Sequence, residues 1–353
     1  MTAVLAVTLL WTLRACTGTN LNLFDEGDPP GSAIVEGTAR AGWYQLFFTT
    51  PEEMPTWSGG LDEILAADID RAQNNIDIAA YDLDLESVTG ALVRAHHRGV
   101  EVRMLIEGDN IDVDPLGDLI NAGIPVVEDG RSALMHNKFV VIDGHITWTG
   151  SWNLTDTGTY RNNNNAIRIL SGEMAANYTY EFKEMFLDGA FGPTSPADTP
   201  HRRLVLEGTR IETFFAPEDE AMDEVILVVS RASESIRFMA FSFTDDDLGL
   251  AMRERAAAGV LVEGVFESRG TSSEYSEFGA MQEVGLSVFP DGNPALLHHK
   301  VIIVDASIVI LGSFNYTSSA DQENDENMLV IYSPEIAAQF LNEFNTVITQ
   351  AYP

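Results

Sequence analysis

The sequence predicts an α/β protein built from two similar layered domains, each a mixed sheet flanked by helices. Three observations carry this. The stretch Met135 to Asn153, MHNKFVVIDGHITWTGSWN, returns as Leu297 to Asn315, LHHKVIIVDASIVILGSFN, and the matching positions stand 162 residues apart throughout. An unbroken offset of this length marks an internal duplication. Upstream of both copies, amphipathic helices and short apolar strands alternate in the same order. Finally, 353 residues leave room for two copies of about 150, each long enough to bury a core.

Taken in order, the chain opens with Ala3 to Leu13, an uncharged apolar run that is too short to span a bilayer and sits where a signal-peptide core belongs. It leads into Leu13-Arg14-Ala15-Cys16, which resembles a bacterial lipobox with Cys16, the only cysteine, as the lipidated residue. Residues 1–16 are therefore expected to be a signal peptide with a lipobox. Residues 17–36, rich in Gly, Asn, Asp and Pro and without a period, are expected to be a tether. Residues 37–190 and 205–353 form the two domains, and 191–204, Pro-rich at its start, is the linker.

Within each domain the order repeats. QLFFTTP and ETFFAP read as edge strands entering the repeat; LDEILAADIDRAQ and MDEVILVVSRAS, with apolar residues three and four apart, read as helices. IDIAAYDL and IRFMAFSF are buried strands. Gly99 and Gly259 follow the next helices, where a glycine cap ends them. His96 and His97 fall on the helix before Gly99 and are read as helix-surface residues. Each copy closes on a helix, and Glu181-Phe182 and Glu343-Phe344 hold the same 162 spacing.

The duplicated stretch is where the chemistry concentrates. Both copies read His-x-Lys, four residues, Asp, six residues, Gly-Ser-x-Asn: His136, Lys138, Asp143, Gly150, Ser151 and Asn153, then His298, Lys300, Asp305, Gly312, Ser313 and Asn315. The chain has three lysines, and two of them are Lys138 and Lys300. FVVI and VIIV read as strands, so His and Lys two apart share one face. Asp143-Gly144 is a hairpin signal that returns the chain and brings Ser151 and Asn153 to the same end. Two imidazoles beside two ammonium groups and two amides suit a phosphodiester. One histidine can attack phosphorus while the other protonates the leaving oxygen, with lysines and asparagines holding the phosphoryl oxygens.

This doubled motif resembles the signature of the phospholipase D superfamily, and the resemblance runs from about Gly37 to the end of the chain. It implies two domains packed about a pseudo-twofold axis so that the motifs face each other. It also implies a phosphodiesterase or phosphatidyl transferase that needs no metal or other cofactor and works through a phosphohistidine. By similarity His136 is the nucleophile, His298 the acid and base, and Asp143 and Asp305 are turn and packing residues. Eleven positions beyond the motif asparagines stand Asn164 and Glu326. By the resemblance Glu326 holds His136 and Asn164 holds His298, each across the interface. A carboxylate on one side and an amide on the other make the two halves unequal.

The formal net charge of −34 belongs to periodic, 45% hydrophobic segments and not to a disordered tail. It suits either a salt-adapted surface or a preference for cationic partners. The reading favoured is hydrolysis, or transfer, of a phospholipid head group at a membrane surface of the bacterial cell envelope, held there by the lipid anchor. A single chain with both copies is expected to act as a monomer. Two alternatives remain open at this stage: a nuclease on single-stranded nucleic acid, for which no basic stripe with interleaved aromatics is visible, and an inactive phosphate-binding envelope protein, against which stands the retention of every His and Lys.

Overall fold

The computed structural model describes residues 39–351 apart from 41, 52–56 and 112. The leading apolar run, Cys16 and the expected tether lie outside the described residues, and those described fall within one compact unit. The first half comprises β1 (Ala39–Arg40), β2 (Tyr44–Phe48), α1 (Leu61–Arg71), β3 (Asn75–Ala80), α2 (Glu86–His97), β4 (Glu101–Glu107), α3 (Asp114–Asn121), β5 (Val126–Asp129), β6 (Phe139–Ile142), β7 (Ile146–Gly150), α4 (Asp156–Tyr160), β8 (Asn165–Leu170) and α5 (Gly172–Lys183). The second half repeats it: β9 (Arg203–Leu206), β10 (Thr209–Ala216), α6 (Ala221–Ser230), β11 (Ser235–Ala240), α7 (Asp246–Ala257), β12 (Leu261–Phe266), α8 (Glu277–Glu283), β13 (Ser287–Pro290), β14 (Lys300–Val304), β15 (Ile308–Gly312), α9 (Ser318–Gln322), β16 (Glu326–Tyr332) and α10 (Pro334–Ala351).

Each half holds one eight-stranded sheet, in the orders β1-β2-β8-β7-β6-β3-β4-β5 and β9-β10-β16-β15-β14-β11-β12-β13. The pairs β3/β4, β4/β5, β11/β12 and β12/β13 are parallel and the rest antiparallel, so both sheets are mixed. The crossover helices that parallel pairing demands supply the outer layers. Helix α1 buries Leu61, Leu65 and Ile69, and α2 buries Val88, Leu92 and Ala95, at the spacing that places them on one stripe. Helices α6 and α7 do the same for the second half.

The opposite faces of the two sheets share a third, central core. It joins Phe139, Val141 and Ile167 of one sheet to Val301, Ile303 and Leu329 of the other, with Tyr178 and Phe182 from α5 and Phe340 and Phe344 from α10. The closing helices, whose Glu-Phe pairs keep the repeat spacing, are thus filling between the halves.

Three expectations need correction. QLFFTTP and ETFFAP are not edge strands: β2 pairs with β1 as well as β8, and β10 with β9 as well as β16. The edges are taken by the two-residue β1 and four-residue β9, short enough to limit pairing with another chain. The expected linker also overlaps β9, which begins at Arg203. Lastly, FVVI and VIIV do form strands, β6 and most of β14, but of the residues expected to share a strand face His136, Lys138 and His298 precede them and only Lys300, paired with Ala240, lies in a ladder.

Candidate active site

The motif hairpins explain the aspartates. Asp143 and Gly144 take left-handed φ values of 52° and 61°, and Asp305 and Ala306 take 50° and 49°, paired positive φ values at the centre of tight turns in the three-residue loops that join β6 to β7 and β14 to β15. The Asp143 carboxylate accepts from the backbone N–H groups of Gln73, Asn74 and Asn75 at 2.6–3.2 Å, and Asp305 accepts from those of Ser233, Glu234 and Ser235 at 2.7–3.1 Å. Each thereby ties its hairpin to the loop entering β3 or β11, at the ends of β6 and β14 away from the histidines.

At the other ends the halves meet. Met135 N–H donates to Glu107 of its own half at 2.7 Å, and His136 N–H to the carbonyl of Asp325 in the other half at 2.9 Å. In the second half, Leu297 N–H donates to Glu267 at 2.7 Å and His298 N–H to the carbonyl of Asn163 at 2.9 Å. Side chains cross the same seam: Nδ1 of His136 lies 2.8 Å from both carboxylate oxygens of Glu326, and Nδ1 of His298 lies 2.9 Å from Oδ1 of Asn164 and 3.0 Å from the carbonyl of Ser151. Because both neighbours of His298 Nδ1 are acceptors, that nitrogen carries its proton and Nε2 is the free position.

The motif serines brace these partners. Ser313 Oγ donates to Glu326 at 2.6 Å and Ser151 Oγ to Asn164 at 2.9 Å. Gly150 and Gly312, at φ of 147° and 153°, precede them because a Cβ there would collide with the carbonyl oxygen of Asn165 or Asn327 on the neighbouring strand. Asn153 and Asn315, at equivalent places, keep a buried Oδ1 with no hydrogen-bond partner among the described residues.

Both lysines are buried. Lys138 Nζ donates to the carbonyl of His136 at 2.9 Å and Lys300 Nζ to that of His298 at 3.0 Å; among the described residues neither forms an ion pair. Each also faces an aromatic ring not anticipated as part of the site. Lys138 lies 5.0 Å from the centre of Tyr81, which packs edge-on to His136, and Lys300 lies 4.5 Å from that of Phe241, which packs edge-on to His298. Tyr81 and Phe241 immediately follow β3 and β11, and their equivalent places in IDIAAYDL and IRFMAFSF were the available signal.

Crowding these groups together disfavours every charge. Burial, then Lys138 and Lys300, holds the His136 imidazole well below its usual range, and burial followed by the two lysines and His136 does the same to His298. Burial brings Lys138 down to about 7 against the pull of Glu326 and Asp82. Lys300 falls well below its ordinary value through burial and then Lys138. Glu326 rises to about 8 through burial, opposed by Lys138, Ser313 and Lys300.

A family model described as "Cardiolipin synthase, PLD-like domain" matches residues 65–186 and again 225–348, once in each half. The chain belongs to the phospholipase D-like family. A phospholipase D of Rickettsia bellii (strain RML369-C) is 30% identical to this phospholipase D-like chain over 152 residues, 43% of this chain and 76% of that protein. The mitochondrial cardiolipin hydrolase of Homo sapiens is 31% identical over 135 residues, 38% of this chain and 54% of its own length. Among solved structures, the phosphatidylserine synthase of Haemophilus influenzae Rd KW20 shares the fold at a TM-score of 0.63 and 14% identity, over 84% of this chain and 87% of its own. The chain is an enzyme, a hydrolase of the phospholipase D-like type.

Proposed function

We propose that this enzyme cleaves the head-group phosphodiester of a phospholipid through a phosphohistidine formed on His136, acting as a monomer at a bacterial envelope membrane to which lipidated Cys16 ties it. One observation carries the anionic substrate. In a chain with a net charge of −34, two of three lysines are buried at the seam between the halves, and among the described residues they hydrogen-bond only to backbone oxygens. Burial makes their charge costly even against the pull of nearby carboxylates, and a phosphodiester anion between them relieves that cost. The names of the relatives, a phospholipase D and a cardiolipin hydrolase, support a lipid phosphodiester.

On this reading His136, with its Nδ1 proton donated to Glu326, presents Nε2 as the nucleophile. Its lone pair forms the N–P bond while the P–O bond to the leaving alcohol breaks, and His298 Nε2 gives that oxygen a proton. Lys138, Lys300 and the amides of Asn153 and Asn315 hold the phosphoryl oxygens as charge moves onto them. His298 then removes a proton from water, or from an acceptor alcohol, as it attacks phosphorus and expels His136. Binding of the anion is what allows His298 to carry the proton it needs, since the empty site favours the neutral ring.

The test pairs substrates with variants. Phospholipid vesicles and short single-stranded oligonucleotides are compared at several salt concentrations, because charge repulsion from an acidic surface is screened by salt. His298→Asn, given a p-nitrophenyl phosphodiester whose leaving group departs unprotonated, is expected to accumulate phosphate on His136; His136→Asn is expected to accumulate none. Faster turnover of oligonucleotides than of vesicles at every salt concentration would replace the lipid reading with a nuclease, and label on His298 in His136→Asn would reverse the histidine roles.

A further inference from the structure

The residue between His and Lys differs between the copies, Asn137 in one and His299 in the other, yet both are fully buried and make the same connections. Asn137 Nδ2 donates to Glu181 of α5 at 2.9 Å, and its Oδ1 accepts from Asn327 Nδ2 of the other half at 2.8 Å. For His299, Nδ1 accepts from Asn165 Nδ2 of the other half at 2.9 Å, which places the ring proton on Nε2, 3.1 Å from Glu343 of α10. An imidazole and a carboxamide thus do one job: bond to the glutamate of the closing helix and to an asparagine across the seam.

That asparagine is always the neighbour of the residue that holds the histidine. His136 and Asn137 are gripped by Glu326 and Asn327, the first two residues of β16; His298 and His299 are gripped by Asn164 and Asn165, the residue before β8 and its first residue. Each histidine segment is therefore held from the opposite half by two side-chain rungs, beside the backbone bond from the histidine N–H to the carbonyl of Asp325 or Asn163. Asn327 is fixed in turn, its Oδ1 accepting from Thr149 Oγ1 at 2.5 Å. The bonds to the histidine hold its own ring and N–H, whereas the second side-chain rung holds the next residue as well, between the opposite half and the closing helix.

We propose that Asn137, Asn327 and Glu181, and in the second half His299, Asn165 and Glu343, are positioning residues that set the attack geometry of His136 and His298 respectively. This rests on the histidine roles proposed above. Because the rungs are separate, they control separate steps: the Asn327 rung serves formation of the phosphoenzyme and the Asn165 rung serves its breakdown. A shift of about 1 Å in a reacting group costs on the order of 100-fold, and partial restraint by the remaining rung leaves an expected loss of about 10–100-fold.

The experiment is rapid-quench kinetics on Asn327→Ala, Asn165→Ala, His299→Asn and His299→Ala with a p-nitrophenyl phosphodiester. Asn327→Ala is expected to slow p-nitrophenol release in the first turnover with the breakdown rate kept; Asn165→Ala and His299→Ala should leave the first turnover near wild type and accumulate phosphoenzyme. His299→Asn, which supplies the carboxamide that Asn137 uses, is expected to restore breakdown to within about threefold of wild type. Nitrogen-15 spectra of the His136 and His298 rings add a readout independent of turnover, each ring changing only when its own rung is cut. Equal slowing of both steps by either rung variant, with both rings perturbed together, would overturn the proposal in favour of general loosening of the seam. Absence of any phosphoenzyme in the wild type would instead bring down the histidine roles, leaving the ring spectra to decide the rungs.

Discussion

Replacing the motif aspartates separates packing from chemistry, because their bonds are known one by one. Asp143→Ala removes the acceptor for three backbone N–H groups, and Asp305→Ala removes three plus the Ser233 hydroxyl at 2.9 Å. A hydrogen bond to a charged group contributes about 1.5–3 kcal/mol when buried. Water can replace these largely exposed ones, so about 0.5–1 kcal/mol apiece is the fair figure, with about 1 kcal/mol more for forcing alanine into the left-handed region that aspartate tolerates. The sum is about 2.5–4 kcal/mol for Asp143→Ala and about 3–5 kcal/mol for Asp305→Ala, or falls of about 5–8 °C and about 6–10 °C in Tm at roughly 2 °C per kcal/mol for a chain of this size. The pH dependence has a definite sign. Burial pushes the Asp305 carboxyl up, but the bonds from Ser235, Glu234 and Ser233 outweigh it and hold it below its usual range. Its stabilisation is present above the unfolded pKa of about 4 and is lost as pH falls through the folded one. Asp305→Asn should therefore lose less Tm than wild type between about pH 5 and pH 3. The assay is thermal unfolding by far-ultraviolet circular dichroism, beside kcat/KM on an aryl phosphodiester well below both transitions, where the alanine variants should stay within about threefold. Loss of turnover by a thousandfold at unchanged Tm would refute the packing role and put the aspartates into the chemistry.

Three further outcomes are expected. Deprotonating the Glu326–His136 pair frees Nε2 as pH rises through about 8, while Lys138 loses its charge as pH rises through about 7, so kcat/KM should peak between about 7 and 8 and fall on both sides; Glu326→Gln should abolish the acid limb. Ala306 sits at a left-handed φ of 49° where the first copy has Gly144, so Ala306→Gly should stabilise the fold by about 0.5–1 kcal/mol, read as a higher urea midpoint at unchanged slope, and a lower midpoint would contradict the strain argument. Since on the proposed mechanism side chains furnish both nucleophile and charge, turnover should survive full chelation of divalent metals; complete loss with EDTA, restored by one added metal, would sink the mechanism. The carboxylates Glu181, Glu184 and Glu218, which alone among the described residues are grouped closely enough for an ion, would then be the first place to look.

Much of this site is visible in the sequence because it is written twice. Spacing alone pairs Glu326 with Asn164, the family resemblance assigns them to His136 and His298 across the interface, and the structure shows both bonds. The edge strands were misread because β1 and β9 are too short to carry a pattern, so QLFFTTP and ETFFAP seemed to begin the sheets. Tyr81 and Phe241 stayed hidden for a different reason: they continue apolar strands, and only the turn of the chain just past β3 and β11 brings their rings beneath the lysines. The second rungs were least legible. Asn137 and His299 look unrelated as letters, and their equivalence lies in a donor whose partners, Glu181 and Glu343, both sit 44 positions on and an acceptor whose partners sit 190 and 134 positions away.

The two halves agree almost everywhere in the site, so the places where they part bear on which histidine takes which role. Forming an N–P bond at Nε2 puts positive charge on the ring. A carboxylate beside Nδ1 answers that charge, and at about 4 Å and an effective dielectric of 20 the attraction is about 4 kcal/mol, near a thousandfold in rate. His136 has such a partner in Glu326; His298 has Asn164 and the carbonyl of Ser151, which accept its Nδ1 proton but carry no net charge. The same lack makes the His298 cation a better acid, readier to give up its Nε2 proton to a leaving oxygen. The Tyr81/Phe241 exchange keeps a ring beneath each lysine, and the Asn137/His299 exchange conserves its hydrogen bonds. Only the Glu326/Asn164 difference changes a charge next to an imidazole, and so it is the one difference large enough to divide the labour between two otherwise matching halves.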